Sequence, residues 1–198
     1  MNIYWLRRQD PNVEEFAWFG CVGTWGPPQV CPYCNAYLGT NLFPPYTVEI
    51  RRGCTRLGDF SDGGAPFLVN DRAAKILTNL SSTITFDKPQ FVPSKFKKNV
   101  LQSGDVTGLV IPTLNRFVHL DIAASKLEEC ERSCSKLRYY RFKTKDLFFQ
   151  LSAVGDATCF HVTEFGASRS WFCTQQFKDE FEAAAITNVR FELAGIAS

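Results

Sequence analysis

The sequence contains few of the groups on which enzyme active sites most often depend. It has two histidines, His119 and His161, each beside apolar residues, and no HExxH, Walker or glycine-rich dinucleotide motif. The segment Gly166–Ser170 is not a nucleophile elbow, because its last position is serine instead of glycine. We therefore expect a binding protein and no enzyme. The alternative is a nucleophile–base pair assembled by folding, for example Cys159 with His161.

Long apolar runs are also missing. No segment is long enough to cross a membrane, and residues 1–10 lack the apolar core of a secretory signal. The net charge is +2, which is too small to indicate a polyanionic partner by itself. These absences predict a cytoplasmic protein without membrane contact. Its eight cysteines are then expected to be thiols or metal ligands, because disulfides are rare in reducing compartments.

Aromatic side chains, in contrast, are abundant. They make up 14% of the residues, which favours a packed interior over disorder, and we expect one domain spanning residues 1–198. Alternating patterns predict strands at Ile3–Leu6 and Tyr46–Arg51, and an apolar β-branched segment predicts another at Thr107–Ile111. Prolines and glycines predict a loop-rich stretch up to Pro45 and a loop at Gly58–Pro66.

A strand–helix–strand pattern occurs twice, in residues 61–90 and 166–198. Its helices are predicted at Asp71–Leu80, with Asn70 or Asp71 as the cap, and from the cap Thr174 to about Ala185. The repetition suggests a duplicated scaffold. The sequence as a whole predicts an α+β fold, with a mixed, mostly antiparallel sheet, two or three helices and a zinc knuckle.

The zinc prediction depends on two cysteine pairs. Cys31 and Cys34 form a CxxC motif, and Cys130 and Cys134 form a CxxxC motif. Both spacings suit zinc, because two thiolates on each of two tight turns complete a tetrahedron. The residue after the second cysteine of such a turn often adopts a left-handed conformation, for which Asn35 is well suited. We predict a closed, structural Zn²⁺ site that organises a knuckle region within residues 1–60.

Other interpretations of the cysteines stay open at this point. Cys21 or Cys54 is an alternative to one of the four proposed ligands, and a set of ordinary thiols is an alternative to the metal site. Thioredoxin-type redox chemistry is disfavoured, since Cys31 follows a segment rich in proline and glycine instead of ending a strand before a helix. Cys173 lies in an apolar strand and is predicted to belong to the core.

Several segments resemble a known family. The segment Trp25–Pro28 leading to Cys31 and Cys34, after an opening Ile3–Leu6, is similar to the start of the double-CXXCG-motif immunity proteins of myxobacteria and their relatives. A second cysteine pair follows downstream in that family, as Cys130 and Cys134 do here. Segments near the end are also similar to the family's final strand–helix–strand: Asp146–Phe148, Trp171–Thr174 and Ile186–Phe191. Asn35 and Ser135 stand where the family has glycine.

The resemblance implies a cytoplasmic immunity protein that protects against a toxin delivered by a sibling cell. As a hypothesis, it neutralises the toxin by occlusion, for which a rigid surface is sufficient. Aromatic residues of the knuckle region are candidate anchors, namely Trp18, Trp25, Tyr33 and Phe43. Basic residues of a second segment are candidates to contact an acidic patch on the toxin, namely Arg138, Arg141 and Lys143.

The alternative function is that of a zinc-ribbon nucleic-acid-binding protein. Residues 136–145 interleave basic and aromatic side chains directly after a cysteine pair, a combination that suits single-stranded nucleic acid. A half-buried strand with a solvated basic face is the more common explanation of such a pattern. Because the whole chain carries a net charge of only +2, nucleic acid is the less favoured partner.

Overall fold

The computed structural model describes most of the chain in eight longer segments and three single residues. These are residues 1–8, 16, 18–32, 35, 37–52, 56–62, 67–92, 101, 103–126, 147–165 and 170–198. No helix in these segments is long and apolar enough to span a bilayer.

Strands dominate the described segments. Their bounds are β1 (Asn2–Arg8), β2 (Trp18–Trp25), β3 (Gln29–Val30), β4 (Tyr37–Gly39), β5 (Leu42–Arg52), β6 (Phe60–Asp62), β7 (Phe67–Val69), β8 (Ile84–Asp87), β9 (Gln90–Val92), β10 (Ile111–Leu114), β11 (Phe117–Val118), β12 (Leu147–Phe149), β13 (Cys159–Val162), β14 (Trp171–Thr174) and β15 (Val189–Ala197). The α-helices are α1 (Asp71–Leu80), α2 (Leu151–Val154) and α3 (Gln175–Ala183), and 3₁₀ turns lie at Ser103–Val106 and Thr163–Phe165.

Six strands form a sheet that closes on itself. We call it the second ring, because all its strands except β1 lie in the second half of the chain. The strand order is β11-β13-β14-β1-β15-β12. Leu120, two residues after β11, bridges to Phe149 of β12 and joins the two edges. Closure removes the unpaired edges that invite aggregation. Side chains alternate along each strand, so one set fills the ring: Ile3, Val118, Leu120, Leu147, Phe149, Phe160, Val162, Phe172, Ala194 and Ala197.

A first ring is built from seven strands. The strand order β7-β6-β2-β5-β9 continues through a Val69–Val110 bridge to β10, which pairs with β8. Only Lys88 and Pro89 separate β8 from β9, so this short segment pairs with both edges and closes the ring. Its interior is filled by Phe19, Leu42, Tyr46, Val48, Ile50, Leu68, Val106, Leu109 and Ile111.

The two rings share one topology. In each, a helix connects two parallel strands with an antiparallel strand inserted between them: β7-α1-β8 around β10, and β14-α3-β15 around β1. One further strand precedes each unit. In the first ring it is β6, which pairs antiparallel with β7 and parallel with β2. In the second ring it is β13, which pairs antiparallel with β14 and parallel with β11. The sequence echo thus corresponds to a repeated arrangement. The inserted strand follows the unit in the chain in the first ring, as β10, and comes from the start of the chain in the second, as β1.

Both helices begin with the predicted caps. The Asn70 side chain accepts a hydrogen bond from the backbone N–H of Ala73, and the Thr174 side chain accepts one from Phe177. The apolar faces of α1 and α3 meet outward-facing residues of both rings in a shared layer: Leu6, Phe60, Val69, Ala73, Leu77, Ile84, Leu114, Cys159, Trp171, Cys173, Phe177, Phe181 and Ile186. Helix stability therefore depends on packing between the rings.

Reciprocal hydrogen bonds join the two units. Asp59, just before β6, accepts from the backbone N–H of Thr187 after α3 (2.8 Å). At the equivalent place before β13, the Thr158 hydroxyl donates to the Leu80 carbonyl at the end of α1 (2.6 Å). The backbone N–H groups of the two caps also donate to equivalent carbonyls, Asn70 to Asp59 (3.1 Å) and Thr174 to Thr158 (2.9 Å). The residue before β6 thus contacts the segment after α3, and the residue before β13 contacts the end of α1. Contacts repeated in both directions are typical of the isologous interface of a symmetric dimer, and here they occur within one chain.

The α+β prediction, with mixed, mostly antiparallel sheets and three helices, is confirmed by the described segments. Both long helices lie where expected, and α3 ends at Ala183, two residues early, because Ala185 adopts a left-handed conformation (φ 49°).

Three loop and strand predictions are wrong. The stretch before Pro45 contains β2, β3, β4 and the start of β5, and β6 lies within the predicted loop 58–66. The strand expected at Thr107–Ile111 instead runs from Ile111 to Leu114, after a turn. The loops were predicted from glycines and prolines, and several of these residues lie in strands. A Cβ on Gly23 would lie 2.5 Å from the Phe43 carbonyl oxygen, so glycine there permits close strand packing, and Pro44 and Pro45 lie at an irregularity of the β2–β5 pairing.

Candidate functional site

A small hairpin projects from the first ring between β2 and β5. We call residues 26–41 the knuckle hairpin. The Gly26 N–H donates to the Asn41 carbonyl (2.9 Å), and the Thr40 hydroxyl donates to the Gly26 carbonyl (2.8 Å), so the base of the hairpin is closed. Within it, β3 and β4 pair antiparallel, with Val30 directly opposite Tyr37.

The turn that follows Cys31 has the backbone geometry expected from the sequence. Asn35 adopts the predicted left-handed conformation (φ 54°), and its N–H donates to the Cys31 carbonyl (2.9 Å). The Cys31 side chain is fully buried, although Val30 and Pro32 on either side of it are exposed. An inward-facing thiol on a tight turn is what a zinc ligand requires. The described part of the CxxC turn therefore fits the predicted role of Cys31.

The other proposed metal ligands, Cys34, Cys130 and Cys134, lie outside the described residues, as does Cys54. Cys21 is on β2 and packs against the interior of the first ring. Over the segments that the structure describes, no cluster of three or more His, Cys, Asp or Glu residues could hold a metal. The four-cysteine zinc site accordingly stays a prediction, of which the structure describes only the Cys31 end.

Exposed apolar side chains concentrate around the knuckle hairpin. Trp25 and Tyr37 keep 58% and 59% of their surface accessible to solvent. The Phe43 ring packs closely on Gly26, since a Cβ on Gly26 would lie 2.9 Å from a ring carbon of Phe43. We use the name knuckle face for the exposed large apolar residues between Val22 and Phe43: Val22, Trp25, Val30, Tyr37 and Phe43. They lie on both sides of the β2–β5 ladder, because Trp25 pairs with Leu42 and Phe43 points to the opposite side. Large exposed apolar side chains in one region mark a binding surface more often than scattered ones do.

The knuckle face lies in a segment without charge. Residues 16–48 contain no Asp, Glu, Lys, Arg or His, whereas charged residues make up 21% of the whole chain. The cores of protein–protein interfaces share this composition, being rich in aromatic side chains and depleted of charge. The segment therefore combines the composition of an interface core with exposure to solvent.

The predicted anchors have different outcomes. Trp25 and Phe43 are exposed, as a partner-binding role requires. The backbone of Trp18 lies in β2 opposite Arg52, but its side chain is outside the description. Tyr33, Arg138, Arg141 and Lys143 also lie outside the described residues. Val22, Val30 and Tyr37 were not predicted as contact residues, although the absence of charge between Glu15 and Glu49 could have indicated them.

The histidines have structural partners. His119 Nδ1 lies 2.9 Å from a carboxylate oxygen of Glu164, whose other oxygen accepts the Leu120 N–H (3.0 Å). His161 is buried between the rings of Phe117 and Trp171, with Nδ1 2.9 Å from the Ser170 carbonyl. The Glu164 carboxylate thus holds the segment after β11, and the His161 ring holds the residue before β14.

Cys159 shares the outer face of the second ring with His161, two residues along β13. Burial raises the pKa of the Cys159 thiol to about 11, although hydrogen bonds with Ser81 and Thr158 act in the opposite direction. A thiol with this pKa is almost entirely protonated at neutral pH, and the protonated form is a poor nucleophile.

With the geometry established, the chain can be set beside known proteins. No protein-family model matches it, and no curated protein sequence is significantly similar to it.

Proposed function

We propose that this chain is an immunity protein that binds a cognate bacterial toxin through the knuckle face, with a structural zinc holding the knuckle hairpin in shape. The observation that carries the proposal is the group of exposed apolar side chains in an uncharged segment next to Cys31. The resemblance at the first cysteine motif supplies the toxin as partner. In this proposal the toxin is occluded, and no bond is made or broken by the immunity protein.

The proposed zinc would be held by Cys31, Cys34, Cys130 and Cys134. Two features support it at the Cys31 end, the buried side chain and the left-handed Asn35. The metal would supply folding energy to a hairpin whose two strands, β3 and β4, are too short to be stable alone. Its role is therefore to fix the orientation of the exposed side chains that flank the turn.

The binding proposal is tested with the secreted toxins encoded in the same genome. Each toxin is expressed under an inducible promoter, with and without this chain, and survival and direct binding are measured. One toxin should be neutralised, and the Trp25→Ala/Tyr37→Ala variant should bind it at least about 30-fold more weakly, as loss of aromatic anchors implies. The matched control is Phe117→Ala/Leu151→Ala, which removes equally exposed apolar side chains elsewhere on the molecule.

Two results would contradict the binding proposal. Equal loss of protection in both variants would show that the knuckle face is not the contact surface. Neutralisation of none of the toxins, together with salt-sensitive binding to single-stranded RNA or DNA, would favour the nucleic-acid alternative.

The metal is tested separately by elemental mass spectrometry of the purified chain. About one zinc per chain is expected, lost in Cys31→Ser and retained in Cys21→Ala, because Cys21 lies on β2 and packs against the core of the first ring. Retention of zinc in Cys31→Ser, or its loss in Cys21→Ala, would refute the proposed ligand set.

A further inference from the structure

Two buried cysteines face each other in the second ring. Cys159 on β13 and Cys173 on β14 are directly opposite in an antiparallel pair, and both are essentially inaccessible to solvent. Both side chains belong to the layer between the rings. They therefore point to the same side of the sheet.

The hydrogen-bond pattern identifies the type of pair. In the neighbouring pair, the Thr174 N–H donates to the Thr158 carbonyl (2.9 Å). Because antiparallel pairs alternate, the Cys159–Cys173 pair is of the non-hydrogen-bonded type, in which Cα atoms are closest, at about 4.5 Å. A disulfide requires Cα atoms roughly 4.4–6.8 Å apart. The backbone therefore already satisfies the distance requirement for a cross-strand disulfide.

The first ring provides an internal comparison. The equivalent pair there, Phe60 opposite Val69, has the same register and the same outward orientation, but no sulfur. Apolar side chains suffice for packing at this place in the fold. The two facing thiols pack as small apolar groups do, and they add at this place a redox chemistry that the first ring lacks.

We propose that Cys159 and Cys173 form a redox-sensitive pair, which a low-molecular-weight disulfide such as oxidised glutathione converts to an intramolecular disulfide when β13 and β14 open locally. One cysteine, as thiolate, attacks oxidised glutathione and forms a mixed disulfide, releasing one glutathione thiolate. The second cysteine then attacks the protein sulfur of that mixed disulfide and releases the other. The two protons from the cysteines end on two molecules of glutathione, which have taken up the two electrons.

Burial sets the condition for this reaction. Neither thiol is accessible in the closed ring, and burial raises the pKa of both, with the facing thiol adding to the effect at Cys173. Reaction therefore requires local opening, and its rate should rise with pH and with mild denaturant. Once formed, the disulfide closes a loop of about 15 residues and restricts mainly the unfolded chain.

The test uses the full chain with its metal content unchanged. The protein is incubated with oxidised glutathione at pH 8.5 in sub-denaturing urea, then alkylated and digested without reduction, and the peptides are identified by mass spectrometry. A Cys159–Cys173 linked peptide should be the main oxidised product. The thermal midpoint of the oxidised chain should rise by about 5 °C or more and return on reduction.

Two results would overturn the proposal. One is glutathione attached to either cysteine without the linked peptide, since the sulfurs would then be unable to meet. The other is a linked peptide with a lowered thermal midpoint, which would mean that the bond strains the sheet. Cys173→Val, which places the first ring's residue type at this position, is the control. It should fold, form no linked peptide and show no oxidation-dependent shift.

Discussion

Asp59 receives hydrogen bonds from both units of the molecule. Its carboxylate accepts from the backbone N–H and hydroxyl of Thr187 and from the Asn70 side chain, each at 2.8 Å, and Arg72 lies 3.3 Å away. Arg72 also donates to the Ala184 carbonyl at the end of α3. Replacement of Asp59 by Ala would remove the buried carboxylate that these donors share, at a cost of about 2 kcal/mol or more. Urea unfolding of Asp59→Ala measures this loss, and Asp71→Ala, at an exposed acidic residue of α1, is the control.

The same carboxylate predicts a pH dependence of stability. Burial acts to raise the pKa of Asp59, but the hydrogen bonds from Thr187 and Asn70 and the attraction of Arg72 outweigh it, so the pKa is lowered below 3.8. A group whose pKa is lower in the folded state stabilises the fold above its unfolded-state pKa. This contribution should be complete above about pH 5 and lost as pH falls through the folded-state value. In Asp59→Asn, the unfolding free energy should fall less steeply between pH 5 and pH 3, and an unchanged slope would contradict this account.

Gly195 lies where β15 passes closest to β12. A Cβ at this position would collide with the backbone carbonyl of Leu147, and backbone cannot move aside as a flexible side chain can. Gly195→Ala should therefore destabilise the second ring by about 2 kcal/mol or more. Gly108→Ala is the matched control, since a Cβ there meets no atom within 4 Å, and it should be close to neutral. Equal thermal midpoints for the two variants would show that β12 is not held against β15 as described.

At the scale of elements, the helix caps are equivalent in the two units. Asn70→Ala and Thr174→Ala each remove the acceptor for an N–H in the first turn of a helix, and Thr174→Ala should cost about 1 kcal/mol. Asn70→Ala should cost more, because it also removes the amide that donates to Asp59. Thr78→Ala is the control on the exposed side of α1, where the hydroxyl only donates to the Ala74 carbonyl, and it should be neutral or slightly stabilising. Chemical denaturation compares the three variants, and a larger loss in Thr78→Ala would argue against capping.

The sequence was most informative where one element is stabilised by its own pattern. Helix caps and apolar spacing predicted α1 and α3, because these signals lie within ten or so residues. The strand at Tyr46–Arg51 was predicted and lies within β5, but β2 and the start of β5 were missed. Gly23 and Pro44 are suited there to close strand approach and an irregular pairing, and both depend on partners elsewhere in the chain. Ring closure could not be predicted, since single bridges such as Leu120–Phe149 leave no local pattern.

The candidate site was predictable in part for the same reason. The left-handed Asn35 follows from a local motif and is confirmed. Exposure of Val30 and Tyr37 depends instead on the hairpin projecting beyond the ring, which alternation alone does not reveal. The knuckle face therefore needed the three-dimensional arrangement, although its lack of charge was visible from the start.

At the scale of the whole molecule, the second unit is completed by a strand from the other end of the chain. The Met1 amino group donates to the Ala197 carbonyl (2.7 Å), so residues 1 and 198 lie close together. A permutant that joins Ser198 to Met1 by a short glycine linker and opens between Asn115 and Arg116 would make both units continuous. It should fold cooperatively, with a thermal midpoint within a few degrees of the parent. Circular dichroism and calorimetry measure this, and loss of the cooperative transition would contradict the two-unit description.

The position of β1 has a consequence for biosynthesis. Residues 2–8 are synthesised well before the two strands that flank them, because β14 and β15 follow about 160 residues or more later in the chain. The first ring needs only residues up to β10 and can assemble during translation, whereas the second must wait for β15. Throughout that interval, Ile3 and Leu6 have no core to enter. The nascent chain therefore exposes an unpaired apolar strand until β14 and β15 have been made. We expect molecular chaperones to bind this strand during that interval.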